Sequence, residues 1–249
     1  MTNKILFIAN WKMFGDLNSV KSIKSVINLS KKKKYKKAKI IYCPPYTLLN
    51  NFVIKTNKSN IDVGAQNCHQ EINTGPFTGS ISANMIKKIG AKYIIIGHSE
   101  NRLEGETNQQ INKKIYNAIS NNLNVIFCIG ENLIQKKKNL TNHILKKQIN
   151  SGLKNIKKIS KIIFAYEPVW SIGTGKVLTN NELKKQIITI KNIISNKFKK
   201  QKNKIIYGGS VNNKNIKNLK KIREINGFLI GGASQNSKKF IDIIQKTIN

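Results

Sequence analysis

The sequence predicts an α/β fold, a closed (β/α)8 barrel of eight parallel strands, and three observations carry that prediction. Short apolar runs rich in β-branched and aromatic residues recur eight times, stretches with helical periodicity lie between them, and no Gly/Ser/Pro-rich linker interrupts the 249 residues. One catalytic domain spanning residues 1–249 is therefore expected. Length alone would also fit two modest domains, and a doubly wound open sheet is the competing architecture; the count and regularity of the runs favour closure.

The runs are KILFIAN at 4–10, KIIYCPP at 39–45, IDVGAQN at 61–67, KYIIIGHS at 92–99, NVIFCIGE at 124–131, KIIFAYEP at 161–168, KIIYGGS at 204–210 and GFLIGGAS at 227–234. Each is almost continuously apolar, the pattern of a parallel strand buried on both faces, and each closes on polar or glycine residues. Between them, INKKIYNAI at 111–119 and LKKQIITIKNII at 183–194 repeat apolar positions every three and four residues with lysines opposite. The lysine runs KKKKYKK at 31–37 and QKKKN at 135–139 read as solvated faces and loops without function.

Composition narrows the function classes. Hydrophobic content of 39% is ordinary for a globular chain, and no run approaches a membrane span or the core of a signal peptide, so a soluble, cytoplasmic protein is expected. Three widely spaced cysteines, Cys43, Cys68 and Cys128, suit buried reduced thiols better than a disulfide or zinc framework, and no metal is expected. A net charge of +34 raises nucleic-acid binding as a second function class. Against it, Arg102 and Arg223 are the only arginines among 45 basic residues, whereas nucleic-acid readers lean on arginine's planar fork. The surplus reads as a compositional bias that attracts anions without specificity.

In a closed parallel barrel the chemistry belongs at the strands' C-terminal ends. That rule yields a short set: Asn10 and Lys12, Pro44 and Pro45, Gln66 and Asn67, His98 and Glu100, Gly130 and Glu131, Glu167, Gly208 to Ser210, and Gly231 to Ala233. The glycine pairs after the seventh and eighth runs, with Ser210, suit a phosphate held by backbone N–H groups. Gly173 and Gly175 lie in a loop able to close over the same phosphate and shut out water. Glu167 then faces a small phosphorylated ligand as a desolvated base suited to removing a proton α to a carbonyl. His98 is placed to polarise the carbonyl oxygen and pass protons between oxygens, and Lys12 to offer fixed positive charge to an enediolate and a phosphate dianion.

These residues stand in motifs. ANWKMFG at 9–15, GAQN at 64–67, IIGHSE at 95–100, AYEPVWSIGTGK at 165–176, YGGSV at 207–211 and GFLIGGAS at 227–234 occur in this order, and with them the chain resembles the triosephosphate isomerase family along essentially its whole length. The resemblance implies a TIM barrel that interconverts dihydroxyacetone phosphate and D-glyceraldehyde 3-phosphate without a cofactor, in glycolysis and gluconeogenesis. It implies Glu167 as base, His98 as electrophile, Lys12 as electrostatic residue and Asn10 as a substrate-positioning amide. Gly173, Ser210 and Gly232 match the phosphate grip, and Gly231 completes the last glycine pair. A homodimer is also implied, with Thr78 reaching towards the other subunit's site.

Four positions depart from the family pattern. Ser80 and Asn101 are neutral where an acid and an arginine tend to meet across the dimer interface; losing both partners together is far less harmful than leaving one charge unpaired. Ser171 and Val177 replace the expected alanine and threonine in or beside the lid, and are expected to adjust its opening rather than the chemistry. Cys128 is expected to pack behind Glu167, whereas Cys43, Cys68, His69 and His143 carry no motif. Among rival enzymes, a Schiff-base aldolase needs a reactive lysine inside the barrel, commonly on the sixth strand, and that run holds only Lys161 at its start.

Overall fold

Eight apolar runs that cannot each find a separate partner bury themselves by pairing in sequence and closing the last onto the first. The computed structural model describes residues 4–72, 74–175, 177–199, 201 and 203–249. In it β1 (Ile5–Asn10), β2 (Ala38–Cys43), β3 (Ile61–Ala65), β4 (Tyr93–Ile96), β5 (Asn124–Ile129), β6 (Ile162–Tyr166), β7 (Lys204–Tyr207) and β8 (Gly227–Ile230) form one closed parallel barrel in chain order. The seam between β1 and β8 runs from Leu6 opposite Gly227 to Ala9 opposite Ile230. Gly227 is required there, since a Cβ would lie 2.2 Å from the Leu6 carbonyl oxygen.

Side chains alternate along each strand, so the barrel sorts them into two cores. Leu6, Ile8, Ile41, Ile95, Ile126, Ile163, Ile206 and Leu229 fill the interior. Their neighbours, such as Phe7, Ile40, Ile94, Phe127 and Phe164, point outward under the helices. The helix Asn108–Ser120 begins at a capping box in which Thr107 and Gln110 each bond the other's backbone N–H, and it buries Ile111, Ile115 and Ala118. Thr179 and Glu182 start the helix Asn180–Lys197 in the same way, burying Leu183, Ile187, Ile190 and Ile194 on one face.

The lysine runs are largely exposed, as their sequence reading has it, with two details it did not foresee. Within 31–37, Tyr35 is buried and its hydroxyl accepts from Gln245, so an aromatic anchor pins the run to the C-terminal helix. Within 135–139, residues Leu133–Lys137 are helical, because Asn132 and Gln135 supply a capping box, and Lys136 lies 3.7 Å over the Trp170 ring. Periodicity over five residues is too short to register as a helix. Among the described residues no helix is long and apolar enough to cross a membrane, and Cys43, Cys68 and Cys128 are all free and buried.

Candidate active site

At the barrel's C-terminal end a cavity of about 220 Å3 brings together the eight residues expected to act on or hold the substrate, Asn10, Lys12, His98, Glu167, Gly173, Ser210, Gly231 and Gly232, whereas Pro44, Pro45, Gln66, Asn67, Glu100, Gly130 and Glu131 from the same strand tails do not line it. They come from five different strand tails, those of β1, β4, β6, β7 and β8, which only barrel closure can assemble. Sequence reasoning did not name Ile172, Val211, Asn212 and Leu229, which also line it. Leu229 was hidden because nothing in the sequence distinguishes the last inward residue of a strand from the others.

Glu167 follows β6 directly. Its backbone N–H donates to the Ile129 carbonyl at 2.8 Å, which continues the β5–β6 ladder one residue past the strand and fixes the side chain's root. The residue is 2% exposed, and its Oε2 is buried without a hydrogen-bond partner. Burial pushes the carboxyl above its ordinary range, opposed by its neighbours His98, Cys128 and Lys12. Cys128 thus packs against Glu167, as expected. An orphaned acceptor on a buried carboxylate is a costly arrangement, of the kind retained where a proton is to be taken. Gly208 leaves the space: a Cβ there would stand 2.8 Å from the Glu167 Cγ.

His98 caps the short helix Ser99–Leu103, where its Nδ1 accepts the Glu100 backbone N–H at 3.2 Å. That bond leaves the neutral ring's hydrogen on Nε2, which lies 3.5 Å from Glu167 Oε1. Carboxylate and imidazole therefore converge on one point. Arg102 fixes the platform beneath them, donating to the Gly97 carbonyl at 2.8 Å, to the Cys128 carbonyl at 3.3 Å and to Asn108 at 2.7 Å. In the sequence it is only one of two arginines, and its role appears once β4 and β5 lie side by side.

Lys12 has φ +55, a left-handed conformation uncommon outside glycine. The surroundings over-determine it. Its N–H donates to Asn10 Oδ1 at 3.1 Å, its carbonyl accepts from Gln66 at 2.8 Å, and the Trp11 carbonyl before it accepts from Gln235 at 3.2 Å. The ammonium meets Glu100 Oε1 at 2.6 Å. Asn10 and Gln66 thereby act on Lys12, a link that no sequence spacing reveals.

The loop after β6 lies down against the β7 tail. Pro168 introduces a single turn, Val169–Ser171, and the Trp170 indole N–H donates to Glu131 Oε1 at 2.9 Å. Glu131 is buried, accepts also from the Tyr166 hydroxyl at 3.2 Å, and is pushed upward chiefly by burial. Ser171 is fully buried; its Oγ lies 3.3 Å from the Tyr207 hydroxyl and accepts the Ser210 N–H at 3.4 Å. The hydroxyl that departs from the family pattern is thus a clasp between the loops after β6 and β7. Lys176 of the SIGTGK segment lies outside the described residues.

Ser171→Ala removes that clasp, and each neutral hydrogen bond is worth about 1 kcal/mol. We expect a several-fold rise in KM with turnover rising or unchanged, and a weaker dependence of turnover on solvent viscosity, measured by steady-state kinetics in sucrose. A turnover lowered in proportion to proton transfer would place Ser171 in the chemistry instead.

Fold and site together define a class: a (β/α)8 enzyme with a buried carboxylate, an imidazole and an ammonium in one cavity edged by the glycines of the β7 and β8 tails. The comparisons make the assignment particular. The family model described as "Triosephosphate isomerase" matches residues 5–247. A triosephosphate isomerase of Clostridium tetani is 38% identical, over 97% of this chain and 96% of that one, and one of Dictyoglomus thermophilum is 40% identical over 98% and 100%. The crystal structure of the Bartonella henselae triosephosphate isomerase superposes with a TM-score of 0.89 at 32% identity, covering 99% of this chain and all of that one. The chain belongs to the triosephosphate isomerase family.

Proposed function

We infer that the protein interconverts dihydroxyacetone phosphate and D-glyceraldehyde 3-phosphate, a step shared by glycolysis and gluconeogenesis, with the roles distributed as follows. Glu167 takes the proton from the carbon next to the carbonyl and returns it to the neighbouring carbon. His98 Nε2–H donates to the carbonyl oxygen as negative charge grows there, and shuttles a proton between the two oxygens of the enediolate. Lys12 adds fixed positive charge to the same oxygens and to the phosphate, and Asn10 braces Lys12. Since two protons are relocated within one substrate, one from carbon to carbon and one from oxygen to oxygen, the reaction needs no outside electron acceptor or donor.

The observation that carries this reading is the unpartnered Oε2 of a buried Glu167 in a cavity shared with His98 and Lys12. The glycines support the phosphate end. A Cβ built on Gly232 would meet nothing within 4 Å, so packing within the chain does not require a glycine there, whereas close approach of a phosphate to the backbone does. Gly173, at φ +71, likewise meets nothing, and its glycine is explained by backbone conformation. Ser210 and Gly231 complete the grip. A coupled isomerase assay on the purified protein tests the reading; an inactive, well-folded enzyme would refute it.

The raised carboxyl of Glu167 sets the pH dependence. The base must be ionised to act, so kcat/KM falls as pH drops through a value above the ordinary carboxylate range. A kcat/KM profile for Glu167→Asp with its acid limb unmoved from wild type would assign that limb to another group.

We further propose a homodimer. The loops after β1 and β3 leave Met13 92% exposed, along with Phe14, Leu17 and Phe77, an apolar load that a lone chain would leave in water. Thr78 and Ser80 sit exposed in the same β3 loop, and Asn101 follows β4. Sedimentation is expected to give twice the chain mass, and a fully active monomer would contradict the dimer. Cytoplasmic residence is proposed on the three free thiols.

A further inference from the structure

The barrel's other mouth holds a charge arrangement that isomerase chemistry does not use. Counting back two residues from the interior side chains Leu6, Ile41, Ile163 and Ile206 reaches Lys4, Lys39, Lys161 and Lys204. The same step from Ile95 and Ile126 reaches Tyr93 and Asn124. Strand alternation therefore turns all six inward in one layer at the N-terminal mouth. They line a cavity of about 290 Å3 whose inner wall is Leu6 and Ile163.

No acidic side chain lines this cavity among the described residues. Asp62, beside it, is committed to Lys39 and to Lys92 at 3.0 Å. Lys4, Lys161 and Lys204 take part in no ion pair among the described residues. Lys39, Lys161 and Lys204 are half-buried, so their charges are screened less than those on helix faces. A compositional bias towards lysine accounts for charge on solvated faces. It does not account for four lysines set in one layer around a single cavity without an acid among the described residues of its lining.

We propose that the N-terminal mouth of the barrel is an oligophosphate-binding site, taking either free tripolyphosphate or the phosphate chain of a nucleotide. Three lysines without an ion-pair partner among the described residues, lining one cavity, call for several adjacent negative charges, more than a monophosphate carries. Lysine binds phosphate as a point charge from any direction, so the anion needs no planar fork. The Tyr93 hydroxyl, pushed up to about 12 by burial and by Asp62, keeps its proton and is a neutral donor in the same wall. A nucleic-acid strand fits less well, since the lysines ring a pit rather than a stripe that could track a backbone.

The test is equilibrium dialysis of the full-length protein against sodium tripolyphosphate at constant ionic strength. Wild type is compared with Lys161→Gln/Lys204→Gln and with the charge-matched control Lys146→Gln/Lys147→Gln, whose lysines are exposed on the helix Thr141–Gly152. The mouth variant is expected to lose at least about tenfold in affinity for one equivalent per chain while the control stays within about twofold, and both keep wild-type isomerase turnover. Unchanged binding by the mouth variant, or an equal loss in the control, overturns the site. Metal-free ATP then distinguishes the sources: tighter binding than tripolyphosphate identifies a nucleotide, weaker binding the free oligophosphate. A single-stranded oligonucleotide that outcompetes tripolyphosphate at these same lysines would overturn the compact ligand.

Discussion

Glu167→Asp is expected to lower kcat by about 10^2- to 10^4-fold, the span of a general base's contribution, with little change in the denaturation midpoint. Shortening the side chain by one methylene withdraws the carboxylate, and a misplacement of about 1 Å costs on the order of 10^2-fold in an oriented reaction. The backbone cannot follow it to compensate. Glu167 N–H is bound to Ile129, the next strand's Gly208 N–H to the Tyr166 carbonyl at 2.8 Å, and Pro168 restricts the backbone on the other side. The charge and most of the buried volume are retained, so stability should hold. Stopped turnover with an intact fold separates a misplaced base from a damaged barrel; turnover near wild type would remove Glu167 from the role.

Lys12→Met should cost about 10^2- to 10^3-fold in kcat and raise KM as well, because one ammonium serves both the developing oxyanion and the phosphate. The fold should survive. Its ion-pair partner Glu100 is half exposed and can be solvated when left alone, and methionine suffers the left-handed backbone no more than lysine does. Steady-state kinetics and a urea midpoint check both halves. A rise in KM with kcat unchanged would confine Lys12 to binding; a collapsed midpoint would make it structural.

The barrel was legible because each strand is buried on both faces and so writes itself as an unbroken apolar run, KIIFAYEP or NVIFCIGE, ending where the chain meets polar surroundings. His98, Glu167 and Lys12 were legible for the same reason, since each stands where such a run stops. What stayed hidden depends on neighbours distant in sequence. Lys12 gives no sign of φ +55, because the hydrogen bonds holding it come from Asn10, Gln66 and, through Trp11, Gln235. Ser171 reads as a substitution and becomes a clasp only beside Tyr207 and Ser210. Lys136 is one of many lysines until the helix Leu133–Lys137 sets it over Trp170. The inward lysines of the N-terminal mouth were obscured by abundance: with 45 basic residues, four at strand starts look unremarkable until register fixes which way they face.

The most direct test of proton transfer by Glu167 is the isomerisation of dihydroxyacetone phosphate in D2O, followed by proton NMR of recovered substrate and product, for wild type and Glu167→Gln. Wild type should wash deuterium into the carbon that gives up or receives the proton, and Glu167→Gln, which has no base there, should incorporate none above the uncatalysed background. Incorporation by Glu167→Gln at the wild-type rate would contradict the central claim.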